Sequence, residues 1–322
     1  MIFGKQVEKM FREKLLVRND NKSGVRYFSP EDFPGLKFYP YAFRSQAGHV
    51  LNGGFYCYDA PIPGRLLVFD HGMGNGHRAY MKELERLAAG GFLVFAYDHT
   101  GCMSSGGENI GGFSQSLADL DDCLQALKAE PALARRSICV MGHSWGGFST
   151  MNIPAFHQEI THVVAMSGFI SPKQILRQAM GGVLALYRET ILNRERRTNP
   201  RYADCSALDS LSQTSARVLL IYSDDDRTVS RKLHHDVLRQ TLEGKENITF
   251  LLLSGKDHNP TYTQDAVRYK NAFFSQLKAR EKEGTLDTPA RQEAFMDGYD
   301  WQRMTVQDEA VWQTILRHLK AE

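Results

Sequence analysis

The sequence predicts an α/β protein: a mainly parallel central sheet flanked by helices, with a small helical lid insertion. Three observations carry this. Six short, continuous apolar runs recur along the chain, the mark of strands buried on both faces. Stretches of helical periodicity lie between them, and that alternation implies right-handed crossovers and a mainly parallel sheet. The 322 residues are 42% hydrophobic and 24% charged, a globular balance that excludes a disordered chain and supplies a sizeable core. The expectation is one domain over residues 1–322.

The elements follow in order. Phe3, Val7, Met10, Phe11 and Leu15 stand at helical spacing in an amphipathic helix whose other face is mostly basic. Docking on the parent domain is its expected role, with a membrane surface as the alternative. Lys5, Glu8, Lys9, Arg12 and Glu13 interrupt the apolar core that a secretory signal needs. Residues 36–58 read as two strands joined at Ala47-Gly48. Arg65–Asp70 (RLLVFD) is the first buried strand, Tyr80–Ala89 a helix, and Phe92–Tyr97 (FLVFAY) the second strand. Leu117, Leu120, Cys123, Leu124 and Leu127 form a helical stripe ahead of Ser137–Met141 (SICVM). His162–Met166, Arg217–Tyr222 and Ile248–Leu253 complete the set. Residues 263–300 form a helical extension before a last helix near 306–320, for which Thr305 with Asp308 reads as the cap.

Residues 171–213 leave the sheet after His162–Met166 and return at Arg217–Tyr222, so they read as a lid that roofs the carboxyl ends of the strands. Leu184 and Leu186 are expected to contact an acyl chain. From Lys173 to Arg201 seven basic residues face Glu189 and Glu195; a solvated helix face is the expected reading, with attraction of an acidic substrate as the alternative.

Lys+Arg of 39 against Asp+Glu of 37 leaves a net charge of +2, which argues against nucleic acid as the main partner. The longest apolar runs are far short of the roughly 20 residues a membrane helix needs. Cys57, Cys102, Cys123, Cys139 and Cys205 are odd in number and show no CxxC pair, so a reduced, cytoplasmic protein is expected. His71, His99 and His143 fall near strand ends without an HExxH or paired cysteines; loop hydrogen bonding is expected of them, and no metal or other cofactor. The adjacent His234 and His235 face different sides of a helix and do not form a joint site.

The chemistry lies just after the strands. Gly142-His143-Ser144-Trp145-Gly146-Gly147 puts G-x-S-x-G on a strand-to-helix turn. A serine at its apex takes a strained backbone angle that lifts its hydroxyl clear of the sheet. His71-Gly72-Met73-Gly74-Asn75-Gly76 follows the first buried strand, and the amides of Met73 and Trp145 are the candidate oxyanion donors. The full GxGxxG and GxxxxGKS fingerprints are absent, which argues against a nucleotide. Asp224-Asp225-Asp226 follows the fifth strand and His258 the sixth. Serine, acid, histidine is the chain order of a hydrolytic triad on an α/β sheet. The histidine removes the serine proton and the carboxylate fixes the imidazole tautomer.

These residues resemble the α/β-hydrolase superfamily, on HGMGNG at 71–76, DHTGCMSSGG at 98–107, GHSWGG at 142–147, SDDDRTV at 223–229 and DHNP at 257–260. The likeness spans about residues 40–260 and is greatest to the serine aminopeptidase and monoacylglycerol-lipase-like branch. It implies Ser144 as nucleophile, His258 as base and Asp226, three residues before the valine, as acid. Cys102 departs from the usual glycine, Ser105 extends that turn, and the 263–300 extension has no counterpart in the basic fold. The expected function is cofactor-independent hydrolysis of a small-molecule carboxylic ester. Aminopeptidase, thioesterase or acyltransferase chemistry on the same residues is the alternative, with a non-catalytic binding protein as the rival from another class.

Overall fold

The structure is a computed structural model that describes residues 2–20 and 25–321, the side chains of residues 2 and 3 excepted, so the apolar role expected of Phe3 lies outside the described residues. One eight-stranded sheet runs through it: β1 (Lys37–Arg44), β2 (Val50–Cys57), β3 (Arg65–Asp70), β4 (Leu93–Tyr97), β5 (Ser137–His143), β6 (Ile160–Met166), β7 (Arg217–Ser223) and β8 (Ile248–Leu253). Their spatial order is β1-β2-β4-β3-β5-β6-β7-β8. The β1–β2 and β2–β4 pairs are antiparallel, and every pair from β4–β3 to β7–β8 is parallel.

The apolar runs of β3 to β7 are continuous because both faces of the sheet are covered there, whereas β8, expected to be buried on both faces, is a half-exposed edge strand. Leu66, Val68, Val140, Val218 and Leu220 point into one core, against α3 (Gln115–Ala129) and α4 (Trp145–Asn152). Leu67, Phe69, Cys139, Met141, Leu219 and Ile221 point into the other, against α2 (Met81–Ala89) and the C-terminal helix Glu309–Lys320. The period of two sorts alternate residues of one run into opposite cores. Burying each such side chain is worth about 1.5–3 kcal/mol.

The N-terminal helix, α1 (Ile2–Leu15), lies on the domain: Val7 and Phe11 pack against the larger core, and the Phe11 and Phe113 rings stand 5.8 Å apart. Met10 and Leu15, assigned from periodicity to the same buried stripe, are exposed. Between β6 and β7 the chain forms α5 (Pro172–Ala179), a 3-10 turn over Gly182–Tyr187, α6 (Arg188–Thr198) and α7 (Ala207–Gln213). After β7 come α8 (His235–Thr241) and, beyond β8, α9 (Gln264–Lys282), α10 (Pro289–Asp297), α11 (Trp301–Met304) and α12 (Glu309–Lys320). Phe273, Leu277, Met296 and Met304 give α9–α11 a satellite core of their own. The cap of α12 is Asp308 alone, which accepts from the Ala310 and Val311 amides; the Thr305 hydroxyl instead donates to the Trp301 carbonyl. All five cysteines are free. Among the described residues no helix is long and apolar enough to cross a membrane.

Candidate active site

Ser144 sits between β5 and α4 with φ +57° and ψ −108°. A non-glycine residue adopts such an angle at a cost of order 1–3 kcal/mol, so its surroundings must hold it there. The flanking glycines do so. A Cβ at Gly142 would stand 2.3 Å from the Gly146 carbonyl oxygen, and one at Gly146 would stand 2.1 Å from that of Asp70. Strand and helix thus approach too closely for any side chain at either position. β5 runs on through Gly142-His143, which the apolar pattern alone does not mark as strand.

Of the three adjacent aspartates, Asp226 meets the histidine. Its Oδ2 lies 2.8 Å from His258 Nδ1, and its Oδ1 accepts from the Thr228 and Val229 amides at 2.8 and 2.9 Å. Asp225 ties the two loops together, accepting from the Lys256 and Asp257 amides at 3.2 and 3.1 Å. Asp224 accepts from the Ser254 hydroxyl.

His143 links the three loops that surround Ser144. Its Nε2 lies 2.7 Å from the His258 carbonyl oxygen, which can only accept, so Nε2 carries the proton. Nδ1 then accepts from the Tyr80 hydroxyl at 2.8 Å, and that hydroxyl accepts from the Gly72 amide at 3.1 Å. Burial, with His258 beside it, holds His143 well below the usual histidine range, so this link stays neutral. Beneath it, His71 donates from Nδ1 to the Gly72 carbonyl and accepts the His99 amide on Nε2. Burial opposes a charge on His99, but Asp70 at 2.9 Å and Asp119 at 3.3 Å hold its titration up at about 10. His71 and His143 hydrogen-bond the loops, as the sequence implied, whereas the His99 ring pairs with carboxylates on β3 and α3. No group of His, Cys, Asp or Glu among the described residues is placed to hold a metal ion.

Two hollows meet at Ser144, and Met73, Thr228 and His258 also line both. One, of about 490 Å³, is walled by Leu15, Val17, Ile110, Phe113, Phe169 and Ile175, and Trp145 lies along it. The other, of about 370 Å³, is walled partly by Tyr27, Asn75, Asn259, Tyr262, Glu83 and Lys270. Leu184 and Leu186 line neither, and they stand 43% and 79% exposed on the 3-10 turn. Of residues 171–213 only Ile175 reaches a wall, so the apolar lining comes from α1 and its following segment, α5 and the Ile110, Phe113 and Phe169 side chains rather than from Leu184 and Leu186. Three arginines of residues 171–213 tie this insertion to the rest of the domain, Arg194 donating to the Gly111 carbonyl, Arg197 pairing with Glu8 and Arg201 with Asp121, while Arg196 pairs within it, with Glu189 and Asp204. The extension after β8, whose effect on the substrate entrance no motif specified, supplies Lys270, Phe274, Trp301 and Met304 to the second hollow.

Glu83 and Lys270 were not legible as site residues, because each lies inside a helix away from any motif. For Glu83 one signal existed: it falls four residues before Leu87, on the apolar face of α2. His234 and His235 are both buried, and His234 is spent on the Ile170 amide and the Gln178 side chain.

Comparison with known proteins bears on this geometry. Residues 61–252 match the family described as serine aminopeptidase, S33. The esterase Pf2001 of Pyrococcus furiosus shares the fold with a TM-score of 0.60 at 18% identity, over 84% of this chain and 97% of its own. The α/β hydrolase GrgF from Penicillium sp. sh18 superposes with a TM-score of 0.53 at 17% identity, over 81% of this chain and 99% of its own. An acylaminoacyl peptidase of Pyrococcus horikoshii gives 0.54 at 17% identity, over 78% of this chain and 42% of its own. At such identities the likeness is one of fold.

Proposed function

We propose that this chain, which belongs to the serine aminopeptidase S33 family and is an α/β hydrolase, cleaves carboxylic esters through an acyl-enzyme on Ser144. The observation that carries the reading is the 2.8 Å pairing of His258 with Asp226 beside a serine held at positive φ, in hollows that both Ser144 and His258 line. In this reading Ser144 attacks the acyl carbonyl and His258 takes its proton on Nε2, while Asp226 fixes the Nδ1–H tautomer and stabilises the imidazolium. The Met73 and Trp145 amides hold the oxygen where negative charge develops. His258 then protonates the leaving alkoxide, and water, activated by the same imidazole, releases the acid. An ester with an apolar acyl chain is favoured by the wall of Leu15, Ile110, Phe113, Phe169 and Ile175.

A panel of aryl and alkyl esters, amides and thioesters, run with wild type beside Ser144→Ala, tests this. Ester turnover is expected to exceed amide turnover, and Ser144→Ala is expected to lose roughly 10³-fold or more in kcat and to resist labelling by a fluorophosphonate. Near-normal turnover by the purified variant removes Ser144 from the mechanism. Preferential cleavage of amides at a free amino terminus replaces the ester with a peptide substrate.

A further inference from the structure

The two hollows at Ser144 differ in chemistry. In the more polar one, Lys270 on α9 donates from Nζ to Asn259 Oδ1 at 2.7 Å and stands 4.9 Å from the centroid of the Tyr262 ring. Both partners are uncharged. Among the described residues no carboxylate lies within ion-pair distance of this ammonium; Glu83 and Asp257 act on it only through space. Asp257 is already occupied, accepting from the Arg227 amide and the Asn271 side chain. Burial pushes Lys270 down to about 8, which still leaves most of its charge at neutral pH. Glu83, 2% exposed, lines the same hollow. Its Oε1 accepts from Thr261 and Gln307 at 3.4 Å, while Oε2 makes no hydrogen bond, and burial raises the carboxyl to about 7. The Tyr262 hydroxyl titrates high through burial and through this carboxylate beside it.

A cation in the wall of a substrate hollow, with no carboxylate in direct contact, costs desolvation that a bound anion offsets. Asn259 follows His258 in the chain, and Lys270 lines the same hollow as His258, the group that protonates the leaving alkoxide in the proposed mechanism. We propose that Lys270 is a specificity-determining residue that binds an anionic oxygen group, a carboxylate or a phosphate, on the alcohol half of the ester, while the acyl half occupies the apolar hollow. This rests on the ester-hydrolase reading of Ser144. A lysine suits the task because its ammonium is a point charge with three donors and meets a carboxylate or a phosphate equally.

The test uses three aryl esters of one acyl chain, with the phenol ring bare, carrying a carboxylate, or carrying a phosphate. Wild type is expected to favour a charged ester over the bare one. Lys270→Met is expected to lower that preference by roughly tenfold to a hundredfold, chiefly through KM, and Lys270→Arg to restore most of it. The ester that loses more identifies the anion. Glu83→Gln, which removes the competing negative charge, is expected to strengthen the preference. Independently of turnover, Ser144→Ala protein is titrated by calorimetry with benzoate and with phenyl phosphate. Binding that weakens with salt, and weakens again when Lys270→Met is added, supports the proposal. Absence of affinity for both anions, or preferences and affinities unchanged by Lys270→Met, overturns it. Failure of wild type on every ester sinks the ester reading instead, and the titration still decides the role of Lys270.

Discussion

Replacing Asp226 by asparagine isolates the role of one proton. The Asp226 carboxylate faces two kinds of partner. Oδ1 accepts from two amides, Thr228 and Val229, and Oδ2 faces His258 Nδ1. An asparagine must give one of these positions to its NH₂ group, which only donates. Turning NH₂ toward the amides would set donor against donor twice, whereas turning it toward His258 does so once and can be relieved. The relief is a tautomer change: Nδ1 becomes the acceptor and the ring proton moves to Nε2. In the proposed mechanism that nitrogen takes the Ser144 proton, so the base is blocked without any change of shape. Each lost amide bond is worth about 0.5–1.5 kcal/mol, so the two together hold the asparagine in the harmful orientation. The expected loss is roughly 10⁴-fold in kcat for a short aryl ester, with KM little changed. Asp225→Asn, which disturbs the bonds to the Lys256 and Asp257 amides, is expected to lower stability more than turnover. Steady-state kinetics, paired with urea unfolding to verify that the variants fold, measure this. A kcat for Asp226→Asn within tenfold of wild type refutes the tautomer argument, and a larger loss at Asp225 moves the acid by one residue.

Two further outcomes are expected. Ile175→Ala should shift the acyl-length profile toward longer chains or flatten it, since each methylene contact is worth about 0.8 kcal/mol, whereas Leu186→Ala, 79% exposed, should leave the profile unchanged. Ester panels of increasing chain length decide this, and a profile that moves with Leu186 but not with Ile175 contradicts the assignment of the apolar wall. Stability should also carry a signature of Glu83. Its folded carboxyl titrates near 7 against 4.5 for an unperturbed one, so the folded state binds the extra proton between those values. Stability from this group is therefore full below about 4.5 and is lost as pH rises through 7, by up to roughly 3 kcal/mol. Urea midpoints at pH 5 and 7.5 should fall less in Glu83→Gln than in wild type, and equal falls in both would show that Glu83 does not carry the effect.

The sequence by itself determined the sheet and the residues at its carboxyl edge. A strand buried on both faces must be apolar throughout, so runs such as RLLVFD and RVLLIY announce themselves, and a tight strand-to-helix turn announces itself by the glycines around Ser144; ITFLLL is as apolar, yet it forms the half-exposed edge strand β8. Ser144, His258 and the aspartate triplet were legible because each follows such a run directly. Tertiary structure decided what no local pattern encodes. The family resemblance singled out Asp226 from the triplet, but what brings it to His258 is how the loops after β7 and β8 lie, with Asp225 tying them together. The apolarity of Leu184 and Leu186 looked like a pocket lining, yet their turn faces outward, because periodicity reports that a side chain is apolar and not what stands opposite it. Parts of the walls of the hollows come instead from α1, α5, α9 and α11, elements far apart in the chain. Lys270 and Glu83 acquire their character only there. A lysine on one helix and a glutamate on another are ordinary surface residues by sequence, and only the fold brings them to the wall of one hollow, Glu83 buried and Lys270 half-buried.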